Sequence, residues 1–153
     1  MNKCRLLILL LFAVISCQNQ SQPLNTGGDP VILQGNHLYR YFAMSNRGKE
    51  PIVWAFHDLD NNGYVDLIII YRITGEKNGM SVVLDKGGSC AVTNEVPAPA
   101  TNQVIKLRDI DSAPPMEFIV QGMKGTYIGY AIYRIVNGTL VDLFSEGMEG
   151  CCG

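Results

Sequence analysis

The stretch that decides the fold is His57-Asp58-Leu59-Asp60-Asn61-Asn62-Gly63-Tyr64-Val65-Asp66, followed directly by the apolar run Leu67-Ile68-Ile69-Ile70-Tyr71. The first part is polar and contains glycine, as loops do. The run after it is rich in β-branched residues, and so is Ile52-Val53-Trp54-Ala55-Phe56 before it. Short runs of this composition, separated by turn-forming residues, are typical of β-strands. The sequence therefore predicts two strands joined by an acidic loop.

The acidic loop is a candidate site for a hard cation. The groups expected to converge on the ion are the side chains of Asp58, Asp60, Asn62 and Asp66 and the backbone carbonyl of Tyr64. An oxygen-only set suits calcium better than zinc, which favours thiolates and imidazoles. The same residue types also form ordinary Asx-rich turns. Repulsion among three carboxylates without a counter-ion favours the cation, so we expect a structural calcium ion.

The flanking strands and the end of the loop exclude a helical EF-hand, because Ile69 stands where that motif needs a bidentate glutamate. The segment from Ala55 to Leu67 resembles the FG-GAP/VCBS repeat family, the calcium-loop repeats of integrin-like β-propellers. This resemblance covers roughly a tenth of the chain. It implies a strand–loop–strand unit that binds calcium and serves adhesion or interaction.

Residues 1–16 are predicted to be a signal peptide. Lys3 and Arg5 precede the apolar run Leu6 to Ile15, which is too short to span a bilayer. The run ends at Val14-Ile15-Ser16-Cys17, which resembles the bacterial lipobox and implies lipidation of Cys17. The alternative is an ordinary secretory signal cleaved elsewhere.

The lipobox resemblance implies a lipid-anchored protein of the bacterial cell envelope. Gln18, rather than aspartate, follows Cys17. The retention signal for the inner membrane of enteric bacteria is thus missing, which favours the outer membrane. Residues 17–30 are polar and contain glycine and proline, so they are predicted to be a flexible tether.

Residues 31–153 are predicted to form one all-β domain. The expected strands are 31–33, 38–44, 52–56, 67–73, 80–84, 103–107, 117–121, 127–136 and 139–144. Turn-forming residues separate nearly all of them, and Asn137-Gly138 is a strong signal for a two-residue hairpin. The fold class is a small antiparallel sheet or sandwich, or part of a propeller, with about nine strands.

The domain contains two degenerate repeats, at about 52–84 and 103–136. Alignment of the two places Asp109, Asp111 and Glu117 in line with Asp58, Asp60 and Asp66. In the second loop Ala113 replaces a ligand and Pro114 replaces the glycine, so that loop is predicted to be structural. A propeller needs at least about four blades and the chain supplies about two, which favours a lone domain.

Three cysteines, Cys90, Cys151 and Cys152, remain after the leader and the lipidated residue. Export to an oxidising compartment predicts a disulfide from Cys90 to Cys151 or Cys152. A vicinal Cys151–Cys152 bridge, an intermolecular bond and a free thiol stay open.

The balance of charged side chains and the catalytic motifs that the sequence lacks limit the classes of function to be considered. Of the twelve basic side chains two lie in the leader, against fourteen acidic ones, and no basic stripe indicates nucleic acid. His37 and His57 are the only imidazoles, and no serine stands in a nucleophile elbow. We therefore expect a non-catalytic binding or structural protein with an unidentified protein or carbohydrate partner. The alternative is an accessory or inhibitor of an envelope enzyme, or a small metal-dependent hydrolase that uses the carboxylates of the first loop.

Overall fold

The computed structural model describes residues 29–75 and 77–152, except the side chain of residue 151. The predicted signal peptide, Cys17 and nearly all of the tether lie outside this part of the chain. The described residues form nine strands: β1 Glu50–His57, β2 Asp66–Thr74, β3 Lys77–Asp85, β4 Cys90–Val92, β5 Val96–Ala98, β6 Thr101–Leu107, β7 Phe118–Lys124, β8 Tyr127–Val136 and β9 Thr139–Glu146. Three short helices accompany them: α1 Pro30–Gly35, α2 His37–Ser45 and α3 Met148–Cys151. The prediction of a small all-β domain is confirmed.

The strands form two antiparallel sheets. The first is five-stranded, in the order β1-β2-β3-β4 with β5 also paired to β3, and the second is four-stranded, in the order β6-β7-β8-β9. The expected hairpin between β8 and β9 is present. Both turn residues, Asn137 and Gly138, have positive φ, at 51° and 76°. This is the backbone combination that a tight two-residue hairpin requires.

The core lies between the two sheets, and β2 is buried on both of its faces. Ile68 and Ile70 belong to the cluster shared with the second sheet, which includes Phe118 and Val120. Leu67, Ile69 and Tyr71 point the other way, into a second cluster with Phe42. Successive strand residues alternate between faces, so an apolar run without alternation, as in β2, fits a strand covered on both sides.

The prediction of strands at 31–33 and 38–44 is wrong, because these residues lie in α1 and α2. α2 places Leu38 and Phe42, four residues apart, on one face that is buried against the first sheet. A spacing of four residues returns a side chain to the same face of a helix, so this face packs on the sheet. The helices therefore form a third layer, which covers the outer face of the first sheet.

Local capping explains why these segments are helical. The Asp29 Oδ1 atom accepts a hydrogen bond from the Val31 N–H at 2.9 Å, and Pro30 stands at the start of α1. The Asn36 Oδ1 atom accepts one from the Leu38 N–H at 2.8 Å. Both caps satisfy N–H groups that the first turn of a helix leaves unpaired. No helix among the described residues is long and apolar enough to cross a membrane.

Two short strands, β4 and β5, were not predicted, and β4 carries Cys90. The structure has Cys90 as a free thiol, packed beside the cluster under the helices. Cys152 packs against the core between the sheets instead. The two cysteines thus lie on opposite faces of the first sheet, and among the described side chains the predicted disulfide between Cys90 and Cys152 is not formed. The side chain of the other candidate, Cys151, lies outside the described ones. Burial, together with the nearby Asp85 carboxylate, raises the pKa of the Cys90 thiol.

Gly122 of β7 lies directly against Pro99, the residue after β5. A Cβ atom on Gly122 would lie 2.3 Å from the Cβ of Pro99 and 2.9 Å from the carbonyl oxygen of Thr101. Both distances are too short for a real Cβ contact. Glycine at this point is what lets the start of β6 cross beside β7.

Candidate metal centre

The acidic loop joins the end of β1 to the start of β2, where His57 pairs with Asp66. It brings together one carboxylate oxygen from each of Asp58, Asp60 and Asp66, all within 4.8 Å of one another. Calcium binds oxygens at about 2.3–2.6 Å, so two oxygens on one ion are at most about 5 Å apart. The three carboxylates therefore lie within the range that a single calcium ion spans.

Hydrogen bonds within the loop fix its shape. The Asp58 carboxylate accepts from the N–H groups of Asn62 at 3.1 Å and Gly63 at 2.9 Å. The Asn62 Oδ1 atom accepts from the Tyr64 N–H at 2.8 Å. Gly63 has φ of +87°, as a tight turn at this point requires. The Asx turn and the candidate cation site are thus built from the same residues, and each carboxylate oxygen keeps a further lone pair.

The side chain of Tyr64 lies over Gly87, so only its backbone belongs to the loop. The predicted role of its carbonyl as a ligand stays a prediction.

Asp66 is the buried anchor of the loop. Its Oδ2 atom accepts a hydrogen bond from the Leu59 N–H, and its Oδ1 atom accepts one from the Asp85 N–H, each at 2.8 Å. Burial raises the pKa of Asp66 to about 6, and the charges of Asp60 and Asp58 contribute to the rise. The two backbone hydrogen bonds oppose it. The site therefore holds a carboxylate whose negative charge is poorly compensated.

Asp60 has one carboxylate oxygen in contact with a cation and one without a partner. Its Oδ2 atom contacts the Nζ of Lys86, a residue of the turn after β3. Its Oδ1 atom is buried and has no hydrogen-bond partner among the described residues. A buried polar atom without a partner is costly, and a charged one more so. A bound cation would satisfy this atom, so the residues present fit calcium.

The residues of the β3–β4 turn that close the loop were not predicted from the sequence. Besides its bond to Asp66, Asp85 accepts a hydrogen bond on its carbonyl oxygen from the Asn62 Nδ2 at 2.7 Å. Its side chain accepts from the Gly87 N–H at 2.9 Å and contacts the His37 Nε2 at 2.8 Å. These two hydrogen bonds lower the pKa of Asp85. Asp85 and Lys86 are remote in sequence, and no local pattern places them beside the loop.

The second loop, between β6 and β7, gathers its acids in the same way. One carboxylate oxygen from each of Asp109, Asp111 and Glu117 lies within 4.8 Å of the others. The Ile110 N–H donates to Glu117 Oε2 at 2.9 Å, as Leu59 does to Asp66. A guanidinium group, that of Arg134 in β8, contacts the carboxylates of Asp111 and Glu117.

A cleft of about 360 Å³ separates the two loops. It is lined by His57, Asp58, Asn61, Asp109, Ala113, Pro114 and Met116. Of the three carboxylates in the first loop, only Asp58 lines the cleft. A metal-dependent hydrolase would need an open coordination position facing a pocket, and neither the buried Asp66 nor the half-buried Asp60 lines this cleft.

The aromatic side chains, which could offer a contact surface to a protein or carbohydrate partner, are divided between the core and the surface. Trp54, Tyr71 and Tyr133 are buried. Tyr127 and Tyr130 are exposed on the second sheet, where the ring of Tyr130 lies 5.9 Å from that of Phe144. A protein or carbohydrate partner therefore stays a prediction.

Comparison of the chain with protein-family models, curated proteins and solved structures finds no match. The resemblance of the segment Ala55 to Leu67 to the FG-GAP/VCBS family accordingly stays a prediction from that stretch of sequence.

Proposed function

We propose that this protein is a non-catalytic, calcium-binding β-sandwich of the bacterial cell envelope, anchored by a lipid on Cys17. The observation that carries the calcium proposal is the buried Oδ1 atom of Asp60, which has no hydrogen-bond partner among the described residues. It lies in a group of three carboxylates that together span the size of one calcium ion.

Charge supports a divalent ion in the first loop. Three carboxylates converge there, and among the described residues the cationic group in contact with Asp60 is the ammonium of Lys86. Lys86 therefore neutralises one of three negative charges. A calcium ion supplies two positive charges and prefers oxygen ligands, which matches what the loop offers.

The proposed role of the ion is structural. The loop joins β1 to β2, and Asp66 also holds the backbone of Asp85 at the end of β3. An ion on this loop would thus tie together three strands of the first sheet. Extracellular calcium modules bind at about 10⁻⁴–10⁻³ M. At ten to a hundred times the dissociation constant, the stability gain is about 1–3 kcal/mol.

The experiment is a thermal melt of residues 25–153 in EDTA, in millimolar calcium and in millimolar magnesium. We expect calcium to raise the melting temperature and Asp60→Ala to abolish the rise. Asp111→Ala is the matched control, because it removes the corresponding carboxylate of the second loop, and it should keep the rise. Retention of the full calcium effect by both variants would show that the first loop is not the site.

The lipid anchor is proposed from the sequence around Cys17 and is tested separately. We expect the full chain, expressed in a bacterium with a labelled fatty acid, to carry the label and to fractionate with membranes. Cys17→Ala should lose both properties. A labelled Cys17→Ala protein would place the modification elsewhere.

A further inference from the structure

The two acidic loops share one hydrogen-bonding frame. In each, the third acid of the cluster accepts a backbone N–H from within the loop, Leu59 to Asp66 and Ile110 to Glu117. Both of these acids are buried. The two loops nevertheless differ in the basic side chain that contacts their carboxylates, which is Lys86 in the first loop and Arg134 in the second.

Arg134 is fixed in the second loop by two ion pairs. Its Nη2 atom donates a hydrogen bond to Asp111 Oδ2 and makes an ion-pair contact with Glu117 Oε1, an atom that has no hydrogen-bond partner among the described residues. The Arg134 side chain is 19% exposed and that of Glu117 is 1% exposed. The pKa of Asp111 is lowered, chiefly by the hydrogen bond from Arg134. A guanidinium stays charged at all accessible pH values, and here one of its nitrogens lies between two carboxylates.

Lys86 in the first loop is held less firmly. It contacts one carboxylate, that of Asp60, and its side chain is 39% exposed. An ammonium on a flexible stem is strongly hydrated and costs little to return to water. A divalent ion therefore displaces Lys86 by breaking one partly exposed contact, whereas in the second loop it would have to break both contacts of Arg134.

We propose that the guanidinium of Arg134 is the built-in counter-ion of the second loop and excludes divalent cations from it. The protein accordingly takes up one calcium ion, in the first loop, and this stoichiometry rests on the function proposed above. The exclusion of divalent cations by Arg134 concerns the second loop alone, and it can be tested whether or not the first loop binds calcium.

The test uses the full chain with the first loop disabled by Asp60→Ala. This variant should show no calcium heat in a calorimetric titration and no calcium-dependent rise in melting temperature. Adding Arg134→Met removes the guanidinium and leaves Glu117 buried without a counter-charge. We expect the double variant to bind one calcium ion and to gain stability with calcium. Adding Glu117→Gln to the double variant should abolish the effect.

Two further variants control for charge and for folding. Arg108→Met, also in the Asp60→Ala background, removes an exposed arginine near the same loop and should leave it unresponsive to calcium. Arg134→Lys keeps the positive charge but replaces the guanidinium by a displaceable ammonium, so it should respond to calcium, though more weakly than Arg134→Met. If Arg134→Met is unfolded in EDTA, its refolding on addition of calcium, followed by circular dichroism, is the expected result.

The proposal is overturned if the Arg134→Met variant fails to respond to calcium in both assays. It is also overturned if the Asp60→Ala protein binds a calcium ion that Glu117→Gln then removes, because the second loop would accept the ion despite Arg134. Failure of the function proposed above gives a different pattern. The wild-type protein would then not respond, and the Asp60→Ala/Arg134→Met variant would.

Discussion

The ammonium group of Lys86 contacts the Oδ2 atom of Asp60, which places a residue of the β3–β4 turn in the candidate calcium loop. These two residues are 26 positions apart in the chain. They meet because β2 and β3 pair antiparallel, so that the end of β3 returns to the start of β2. A calcium ion bound in this loop, as proposed, would compete with the ammonium group for the same carboxylate.

Lys86→Met should therefore tighten calcium binding. A partly exposed ion pair is worth up to about 1 kcal/mol, which corresponds to an affinity gain of about fivefold. Calorimetric titration at low ionic strength measures this change. Lys49→Met is the control, because Lys49 pairs with Glu95 rather than with the loop, and it should leave the affinity unchanged. Equal or weaker binding by Lys86→Met would show that the two cations do not compete.

Asp66→Ala should destabilise the protein even in EDTA. The substitution leaves the N–H groups of Leu59 and Asp85 without their acceptor. Losing acceptors for buried donors costs about 3 kcal/mol in total. Urea unfolding in EDTA measures the difference. Asp109→Ala, at an exposed acid of the second loop, is the control and should change stability by much less. A small effect at Asp66 would mean that water replaces its hydrogen bonds.

Phe42→Ala should cost about 3–5 kcal/mol of unfolding free energy, because it empties a buried aromatic site. Phe42 is 1% exposed and its ring lies 5.0 Å from that of Tyr71, which places α2 against the first sheet. Met44→Ala is the matched control in the same helix. Met44 is 72% exposed and its replacement should have an effect within about 0.5 kcal/mol. Similar losses for the two variants, measured by urea unfolding, would contradict the orientation of α2.

The pH dependence of stability should depend in part on Glu95. Hydrogen bonds from Lys49 at 2.7 Å and from the Tyr71 hydroxyl at 2.6 Å lower the pKa of Glu95 in the folded protein. A carboxylate whose pKa is lowered by folding stabilises the folded protein at pH values above its unfolded pKa of 4.5. This stabilisation is lost as the pH falls through the lowered pKa of the folded state.

Urea unfolding at about pH 6 and about pH 3, in EDTA, measures this contribution. Glu95→Gln should show a smaller loss of stability between the two pH values than the wild type. Lys49→Met should change the loss in the same direction, because Lys49 is the main cause of the shift. The effect is modest since the Glu95 side chain is nearly half exposed. An unchanged pH dependence in both variants would contradict this assignment.

Much of the fold was predictable because it is encoded locally. The apolar run from Leu67 to Tyr71 predicts a strand buried on both faces, and β2 is such a strand. Residues 38–44 were misjudged because their aromatic content resembles that of a strand. The cap residues Asp29 and Asn36 indicate the opposite, because each is a residue type that favours the start of a helix. β4 and β5 have three residues each, too few to show a period.

The candidate site was predictable only in its local part. Asp58, Asp60 and Asp66 converge because one loop carries all three, so their spacing in sequence determines their spacing in the fold. Lys86 and Arg134 reach their loops from other strands. Their positions follow from strand pairing, and a single sequence shows no trace of such a contact.

The junction at Gly122 has a consequence for tracing the ancestry of this chain. A side chain at position 122 would collide with Pro99 and with the backbone of Thr101. A related chain that keeps this close contact must therefore also keep the glycine. Surface loops can diverge freely around it. A descendant of the same ancestor that retains this crossing should have glycine at the position of Gly122, which provides a fixed point for aligning distant sequences.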